Sequence, residues 1–175
     1  MKIVSNSTPL IALSRINDLD LLRVIFGTII VPSAVYNEVV LEGAGRPGVK
    51  EVVNAPWIIK REVQNLLTVS MLQMDLDRGE AEAVVLAKEI EADYLLLDEK
   101  KARRVARNSK IRIIGTVGVL GLAAKKGLIT NLDDTFKIYK RKEKRTLSSQ
   151  NKVVLQIRFQ IYSRSDFFTL PIFMC

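Results

Sequence analysis

Residues 77–107 read DRGEAEAVVLAKEIEADYLLLDEKKARRVAR and carry the pattern that decides the fold. Gly79 precedes an alanine-rich run, and Asp77 is placed to cap it, which predicts a helix. Residues 94–97 form a short apolar run, typical of a strand covered on both faces, and a strongly basic helix follows. Glu80 lies in the first helical turn and Asp98 where the strand ends. Ligands of open α/β sheets bind at strand ends.

The same alternation of strand and helix extends through the chain. Strands are predicted at residues 2–5, 28–31, 57–60 and 111–114, each followed by a helical pattern. Thr8 and Pro9 predict the start of the first helix, with Thr8 as its N-cap. Alternation of this kind favours a mostly parallel sheet between two helical layers. The folded domain is predicted to span residues 1–130, and residues 131–175 form a basic and aromatic tail to which no structure is assigned.

Composition limits the chemistry that the chain can perform. It has 175 residues, 48% of them hydrophobic, which is enough for the core of one domain. Histidine is absent and the only cysteine is Cys175, which excludes histidine-based triads, histidine zinc sites and a disulfide framework. Any metal must therefore be held by oxygen ligands, which favours magnesium, manganese or calcium.

Hydropathy and charge indicate the surroundings of the protein. The sequence contains neither an apolar run long enough for a membrane span nor a leader, so we expect a cytoplasmic, soluble protein without membrane contact. The formal net charge of +8 suggests a polyanionic partner. Most of that excess lies after residue 130, which weakens the inference for the folded domain.

Four polar residues lie at strand ends or early in the following helices: Asn6, Glu38, Glu80 and Asp98. Each has an ordinary structural explanation, as a turn residue, a surface glutamate, half of a capping box with Asp77, and a helix cap, respectively. Glu80, however, shares its helix face with small apolar residues, so its carboxylate is expected to be partly desolvated. Acids that converge on one spot repel one another unless a cation neutralises them. A divalent metal would do so and would activate water for attack on a phosphodiester.

The basic helix supplies candidate contacts to a nucleic-acid backbone. Lys100, Arg103 and Arg104 follow Asp98 closely, and Arg46 in a glycine-rich loop is a further candidate. Charge runs are more often solvated helix faces. Their position directly after a candidate acidic site favours the interpretation that they bind phosphate.

Several motifs, in order, resemble those of PIN-domain proteins. Residues 4–11 read VSNSTPLI, residues 79–87 GEAEAVVLA, residues 96–104 LLDEKKARR, residues 114–119 IGTVGV and residues 126–129 KGLI. The resemblance covers residues 1–129. It implies a PIN-like, Rossmann-like three-layer α/β/α sandwich with a mostly parallel central sheet.

The resemblance also implies an activity. Similar proteins are Mg²⁺- or Mn²⁺-dependent ribonucleases acting on single-stranded RNA. Many are toxins of type II toxin–antitoxin pairs that a small antitoxin restrains, and many are homodimers. The metal ligands carried over by position are Asn6, Glu38, Glu80 and Asp98, and the three acids among them are the catalytic set. Auxiliary positions are Ser7, Thr8, Glu99 and Thr116.

One position departs from the family pattern. The first acidic residue is usually aspartate and is Asn6 here. An amide oxygen can ligate a metal, but it brings no charge and cannot act as a base. Weaker metal binding is therefore expected, and with it either a weak nuclease or an inactive one.

The leading hypothesis is a metal-dependent endoribonuclease, the toxin half of a toxin–antitoxin pair. The alternative is a non-catalytic PIN-like module that binds RNA or a protein. A flavodoxin- or Rossmann-type nucleotide binder is a third hypothesis, and the absence of a Gly-x-Gly-x-x-Gly turn after the first strand counts against it.

Overall fold

The computed structural model describes residues 1–43 and 45–144. Its strands are β1 (Ile3–Ser5), β2 (Ile29–Pro32), β3 (Ile58–Arg61), β4 (Tyr94–Leu96) and β5 (Ile113–Ile114). Its α-helices are α1 (Ser7–Arg15), α2 (Asp20–Phe26), α3 (Ser33–Tyr36), α4 (Val49–Val53), α5 (Leu66–Leu72), α6 (Arg78–Glu89), α7 (Lys100–Asn108), α8 (Thr116–Lys125) and α9 (Leu132–Lys144).

The five strands form one parallel sheet in the order β3-β2-β1-β4-β5. Val4 of β1 pairs with Ile30 on one side and with Leu95 on the other. The predicted α/β fold with a parallel central sheet is thereby confirmed. Because the chain fills the sheet outward from β1 in both directions, the carboxyl ends of β1 and β4 lie at a topological switch point, where ligands of such sheets bind.

Two apolar cores cover the two faces of the sheet. Successive strand residues point to opposite faces, so Ile3 and Leu96 belong to one core and Val4 and Leu95 to the other. The first core includes buried residues of α1, α2 and α8, and the second includes those of α6 and α7. This arrangement gives the three layers and fixes the loops that follow β1 and β4 at one edge.

The first helix begins earlier than the sequence predicts. The N-cap is Asn6, whose backbone is extended, and the helix starts at Ser7, so the assignment of Thr8 as N-cap is wrong. Pro9 is then the third helical residue. Proline is tolerated there because the first four N–H groups of a helix have no acceptor within it.

The segment after β2 is not one regular helix. Four α-helical residues, Ser33–Tyr36, continue as a π-helical segment at Asn37–Leu41, which carries Glu38. Such segments are rare and often occur at functional sites.

A helix follows residue 131, in the segment to which the sequence assigned no structure. In α9, Tyr139 is 7% exposed and belongs to the first core. The chain divides into a compact unit, Met1–Tyr139, and a second unit, Lys140–Cys175. Residues 145–175, which are the remainder of the expected tail, lie outside the described residues. No helix in the described ranges is both long and apolar enough to cross a membrane.

Candidate functional site

Asn6 lies at the carboxyl end of the central strand. Its backbone N–H donates to the carbonyl oxygen of Leu96 at 3.1 Å, which joins the end of β1 to β4. The residue is 2% exposed, and its Oδ1 accepts no hydrogen bond from any residue in the ranges 1–43 and 45–144. A buried polar atom without a partner costs about 1–3 kcal/mol, so it marks a position where a further ligand would stabilise the protein.

Ser7 connects this strand end to Glu38. Its Oγ donates to Glu38 Oε1 at 2.9 Å and so joins the start of α1 to the π-helical segment. Partial burial raises the pKa of Glu38, the Ser7 hydrogen bond opposes that effect, and the charges of Asp77 and Glu42 raise the pKa further. Glu38 is exposed to solvent, as a surface glutamate is, but its carboxylate is also held by Ser7.

Glu80 is both a helix cap and a strongly perturbed acid. Its N–H donates to Asp77 Oδ1 at 2.7 Å, and the Asp77 N–H donates to Glu80 Oε2 at 3.4 Å, which forms the capping box that the sequence suggested. Glu80 is 7% exposed. Burial is the main cause that raises its pKa to about 7, and the charges of Asp77, Glu99 and Glu38 add to it.

Gly79 lets Glu38 lie against the start of α6. A Cβ on Gly79 would be 3.0 Å from Glu38 Oε2, which is closer than ordinary packing allows. A cleft of about 370 Å³ opens beside this contact, and Glu38, Glu42 and Asp77 are among its lining residues. Glu38 and Glu80 thus share a strongly acidic surrounding that favours a cation.

Asp98 is held by the start of α8 and not by α7, the helix that directly follows it. Its Oδ1 accepts from the Thr116 N–H at 2.9 Å and its Oδ2 from Thr116 Oγ1 at 2.5 Å. The interpretation that Asp98 caps the following helix is wrong, because α7 begins at Lys100 with Glu99 as its N-cap. Asp98 instead lies at the first turn of α8, where the helix dipole stabilises a negative charge.

The basic residues after Asp98 differ in solvent exposure and in whether they form an ion pair. Arg103 is half-buried and donates from Nη1 to the Leu97 carbonyl oxygen at 3.1 Å. Lys101 forms an ion pair of 2.8 Å with Asp75. Lys100, Arg104 and Arg46 are exposed, as are the auxiliary candidates Thr8 and Glu99.

The candidate ligands are oxygen donors of the type that a hard divalent ion prefers, but too few acids among the described residues are grouped together to hold one. The amide oxygen of Asn6, which lacks a partner in the described part of the chain, and the carboxylates of Glu38 and Glu80 are the kind of oxygen donor that Mg²⁺ and Mn²⁺ prefer. Within the described part of the chain, however, no three acidic residues are grouped closely enough to hold one ion. Direct hydrogen bonds join Ser7 to Glu38 and Asp98 to Thr116.

Glu82, two residues after Glu80 on α6, has a structural role. Glu82 is 4% exposed. Its Oε2 accepts from the Ala34 N–H at 2.9 Å and its Oε1 from Arg78 Nε at 2.9 Å. It therefore holds the start of α3 against α6. The signal in the sequence was an acid within an otherwise small and apolar helical run.

Comparison with known proteins gives one positive result. A family model described as a PIN domain matches residues 2–157. No curated protein matches the chain significantly. PIN domains are generally nucleases that use divalent metal ions, and the parallel sheet flanked by helices has the form expected of them. Since the model covers most of the sequence, the chain belongs to the PIN-domain family.

Proposed function

We propose that the protein is a Mg²⁺- or Mn²⁺-dependent endoribonuclease that hydrolyses phosphodiester bonds of single-stranded RNA. The observation that carries the proposal is the buried Oδ1 of Asn6 at the carboxyl end of the central strand, which has no hydrogen-bond partner among the described residues. A bound cation would satisfy this oxygen and would offset the burial and, to a lesser extent, the neighbouring negative charges that raise the pKa values of Glu38 and Glu80.

The proposed metal ligands are Asn6, Glu38, Glu80 and Asp98. A divalent ion at this site would polarise the phosphate of the substrate and activate a water molecule for attack. Ser7 would orient Glu38 through its 2.9 Å hydrogen bond, and Thr116 would orient Asp98. Glu80, with a pKa of about 7, can hold a proton at neutral pH and release it when a cation binds.

The proposed contacts to the RNA backbone are cationic. Lys100 and Arg104 are exposed on α7, directly after Asp98, and Arg46 is exposed in the loop before α4. Arg103 is half-buried beside the Leu97 carbonyl, so it would contact a phosphate close to the site. Positive side chains of this kind attract the backbone and leave the chemistry to the acids.

Cleavage of a labelled single-stranded RNA pool tests the proposal. We expect cleavage with Mn²⁺, none with EDTA, and a loss of at least about 100-fold for Glu80→Gln and Asp98→Asn. The matched control is Glu91→Gln, which changes an exposed carboxylate outside the proposed site and should keep full activity. Equal cleavage by Asp98→Asn and the parent protein would contradict the assignment. Titration calorimetry with Mn²⁺ measures metal binding independently of activity.

A non-catalytic RNA- or protein-binding module is the second candidate. It is favoured by Asn6 in place of an acid and by the lack of a group of three acids in the described ranges. RNA binding that persists in EDTA, without cleavage in Mn²⁺, and that is lost on charge reversal of Arg103 and Arg104 would support it.

We further propose that the protein is the toxin of a type II pair, a homodimer that binds a small antitoxin. Support comes from family membership and from exposed apolar side chains on α5, where Leu66, Leu67 and Met71 are 63%, 74% and 64% exposed. Exposed apolar patches often mark protein contacts. Light scattering measures the oligomeric state, and coexpression with the product of the adjoining gene tests the antitoxin. A monomer that captures no such product would contradict the proposal.

A further inference from the structure

The positive charge of the folded domain is concentrated in one segment. Residues 100–112, which form α7 and the turn into β5, contain seven lysines and arginines and no acid. The rest of residues 1–130 contains eleven basic and fifteen acidic residues. Away from this segment the domain therefore carries more negative than positive charge, so a polyanion would be drawn to α7.

Three of these cations form one exposed line along α7, the α7 stripe. Lys100, Arg104 and Arg107 are four and three positions apart, so they share a helix face, and all three are exposed. The opposite face carries Ala102 and Ala106, which are buried in the second core. With a rise of about 1.5 Å per residue, the stripe is about 10 Å long.

The stripe is available to a ligand. In the part of the chain that the structure describes, none of its members forms an ion pair, whereas Lys101 beside it is paired with Asp75 at 2.8 Å. The exposed positions of α7 carry only lysine, arginine and asparagine. Protein interfaces depend on aromatic and apolar anchors, which this surface lacks, so it suits a phosphate backbone better than a protein.

The stripe does not serve the stability of the helix. Helix α7 begins with two lysines and has no acid in its first turn, although the positive end of the helix dipole favours acids there. Lys100 and Arg104 are also like charges at positions i and i+4, which destabilises a helix. Arg107, in the last turn, is the member of the stripe that the dipole favours. A ligand explains an arrangement that folding alone disfavours.

The stripe leads away from the proposed active site. Lys100 is two residues after Asp98, at the carboxyl end of β4. Because β4 and β5 are parallel, α7 must run back from the carboxyl edge of the sheet toward its amino edge. Arg107 therefore lies farther from Asp98 than Lys100 does, on the way to the amino edge.

We propose that the RNA on one side of the cleaved bond runs along the α7 stripe, with its phosphates bound by Lys100, Arg104 and Arg107. This path presupposes the proposed nuclease function and adds to it a further contact, Arg107, and the direction of one RNA arm. The RNA on the other side of the bond does not touch α7.

The salt dependence of binding tests the stripe without cleavage. Fluorescence anisotropy of a labelled oligouridylate, measured with the full chain in EDTA, gives the slope of log K against log salt. The double variant Arg104→Gln with Arg107→Gln should reduce this slope by about 1.4, since each phosphate contact on a single strand contributes about 0.7. Urea unfolding should show no loss of stability for Arg104→Gln, because it removes the repulsion from Lys100.

The matched control is the double variant Lys125→Gln with Lys126→Gln. Both lysines are exposed at the end of α8, a helix that packs in the first core, on the other face of the sheet. The control loses the same charge and should keep the parent's slope. Poly-L-glutamate, as an unlabelled competitor, represents an acidic protein and should displace the RNA less well than unlabelled oligouridylate does.

Substrate length tests the direction of the RNA arm. RNAs extended on either the 5′ or the 3′ side of the cleaved bond are compared in Mn²⁺. Extension on one side should lower KM severalfold for the parent and much less for Arg107→Gln. Any gain from extension on the other side should be the same in both proteins.

Four results would overturn the proposed path: an unchanged slope in the α7 variant, an equal loss in the α8 control, poly-L-glutamate competing better than RNA, or an Arg107→Gln effect that is equal on both sides of the bond. Cleavage by the parent together with an unchanged slope in the α7 variant would refute the path and leave the nuclease function standing. The expected slopes without cleavage in Mn²⁺ would refute the nuclease function and leave α7 as an RNA-binding face.

Discussion

Glu80 makes the stability of the metal-free protein depend on pH. Its pKa is about 7 in the folded protein, against 4.5 ordinarily, because the side chain is buried near Asp77, Glu99 and Glu38. Between these two values the folded state holds a proton that the unfolded state has released. The free energy of unfolding must therefore fall as pH rises through this window, by about 2–3 kcal/mol.

Urea unfolding in EDTA at several pH values between 4.5 and 7 measures this dependence. Glu80→Gln cannot titrate, so its stability should vary much less across the window. In that variant, Glu38, whose pKa is also raised, should still make the free energy of unfolding fall with pH, but less steeply. The control Glu91→Gln, at an exposed position, should retain the parent's slope. A Glu80→Gln protein with the full slope would show that another group is responsible.

The spacing of residues along the sequence predicts hydrogen bonds between residues a few positions apart, but not those between residues far apart in the chain. The capping box of Asp77 and Glu80 follows from a separation of three residues, and it is confirmed. The partner of Asp98 is Thr116, eighteen positions later, because β4 and β5 pair and so bring the start of α8 to the end of β4. That Asn6 Oδ1 has no partner among the described residues likewise depends on everything packed around it, which spacing along the sequence does not predict.

Helix α6 anchors two other helices through glutamates of different burial. Glu82, 4% exposed, accepts from the Ala34 N–H at the start of α3. Glu89 is exposed and accepts from the N–H groups of Gln64 and Asn65, just before α5. Replacing Glu82 by alanine should cost about 2 kcal/mol, because the Ala34 N–H is left inside the interface between α3 and α6 without its acceptor.

The matched variant is Glu89→Ala, whose freed N–H groups can bond to water, so the expected loss is below about 1 kcal/mol. Urea unfolding at pH 7 in EDTA compares the two proteins. Since Arg78 is exposed, losing its partner Glu82 adds little to the cost. If both variants lost the same stability, the anchoring role of Glu82 would be refuted.

Helix α7 offers a test of RNA binding that needs no cleavage. Arg104 is exposed, whereas Lys101 on the same helix is paired with Asp75. If Arg104 contacts a phosphate, Arg104→Gln should weaken binding and reduce the slope of log K against log salt by about 0.7. Fluorescence anisotropy of a labelled single-stranded RNA in EDTA measures both quantities.

Lys125→Gln is the control for this experiment. It removes one exposed positive charge at the end of α8, so the net charge falls by the same amount. Its salt slope should match that of the parent protein. A slope reduced equally in both variants would indicate a diffuse charge effect instead of a defined contact at Arg104.

Element boundaries are predicted less well than element types, and α1 shows the physical reason. Thr8 before Pro9 has the residue types of a helix start, yet the helix begins at Ser7. The Ser7 hydroxyl binds Glu38 from another element, so tertiary contacts override the local preference. The π-helical segment at Asn37–Leu41 was also beyond prediction, because its residues favour an ordinary helix equally well.

At the scale of the whole molecule, alternation of strands and helices predicted the parallel sheet, and the structure confirms it. The order of the strands was not predictable from that pattern, because the two-sided burial of apolar strands such as β4 is the same for several orders. The order nevertheless decides the site, since it makes β1 and β4 neighbours and so places Asn6 near the end of the strand that precedes Asp98.

Tyr139 tests how far along the chain the folded unit extends. The predicted domain ends at residue 130, whereas Tyr139 of α9 is 7% exposed and packs in the first core. Tyr139→Ala in the full chain should therefore lower the free energy of unfolding by about 3 kcal/mol, as truncation of a buried aromatic does. Ile138→Ala changes the neighbouring residue, which is 40% exposed, and should cost less than about 1 kcal/mol. Urea unfolding followed by Trp57 fluorescence reports on the domain itself, and equal stability of Tyr139→Ala and the parent would show that α9 does not contribute to its core.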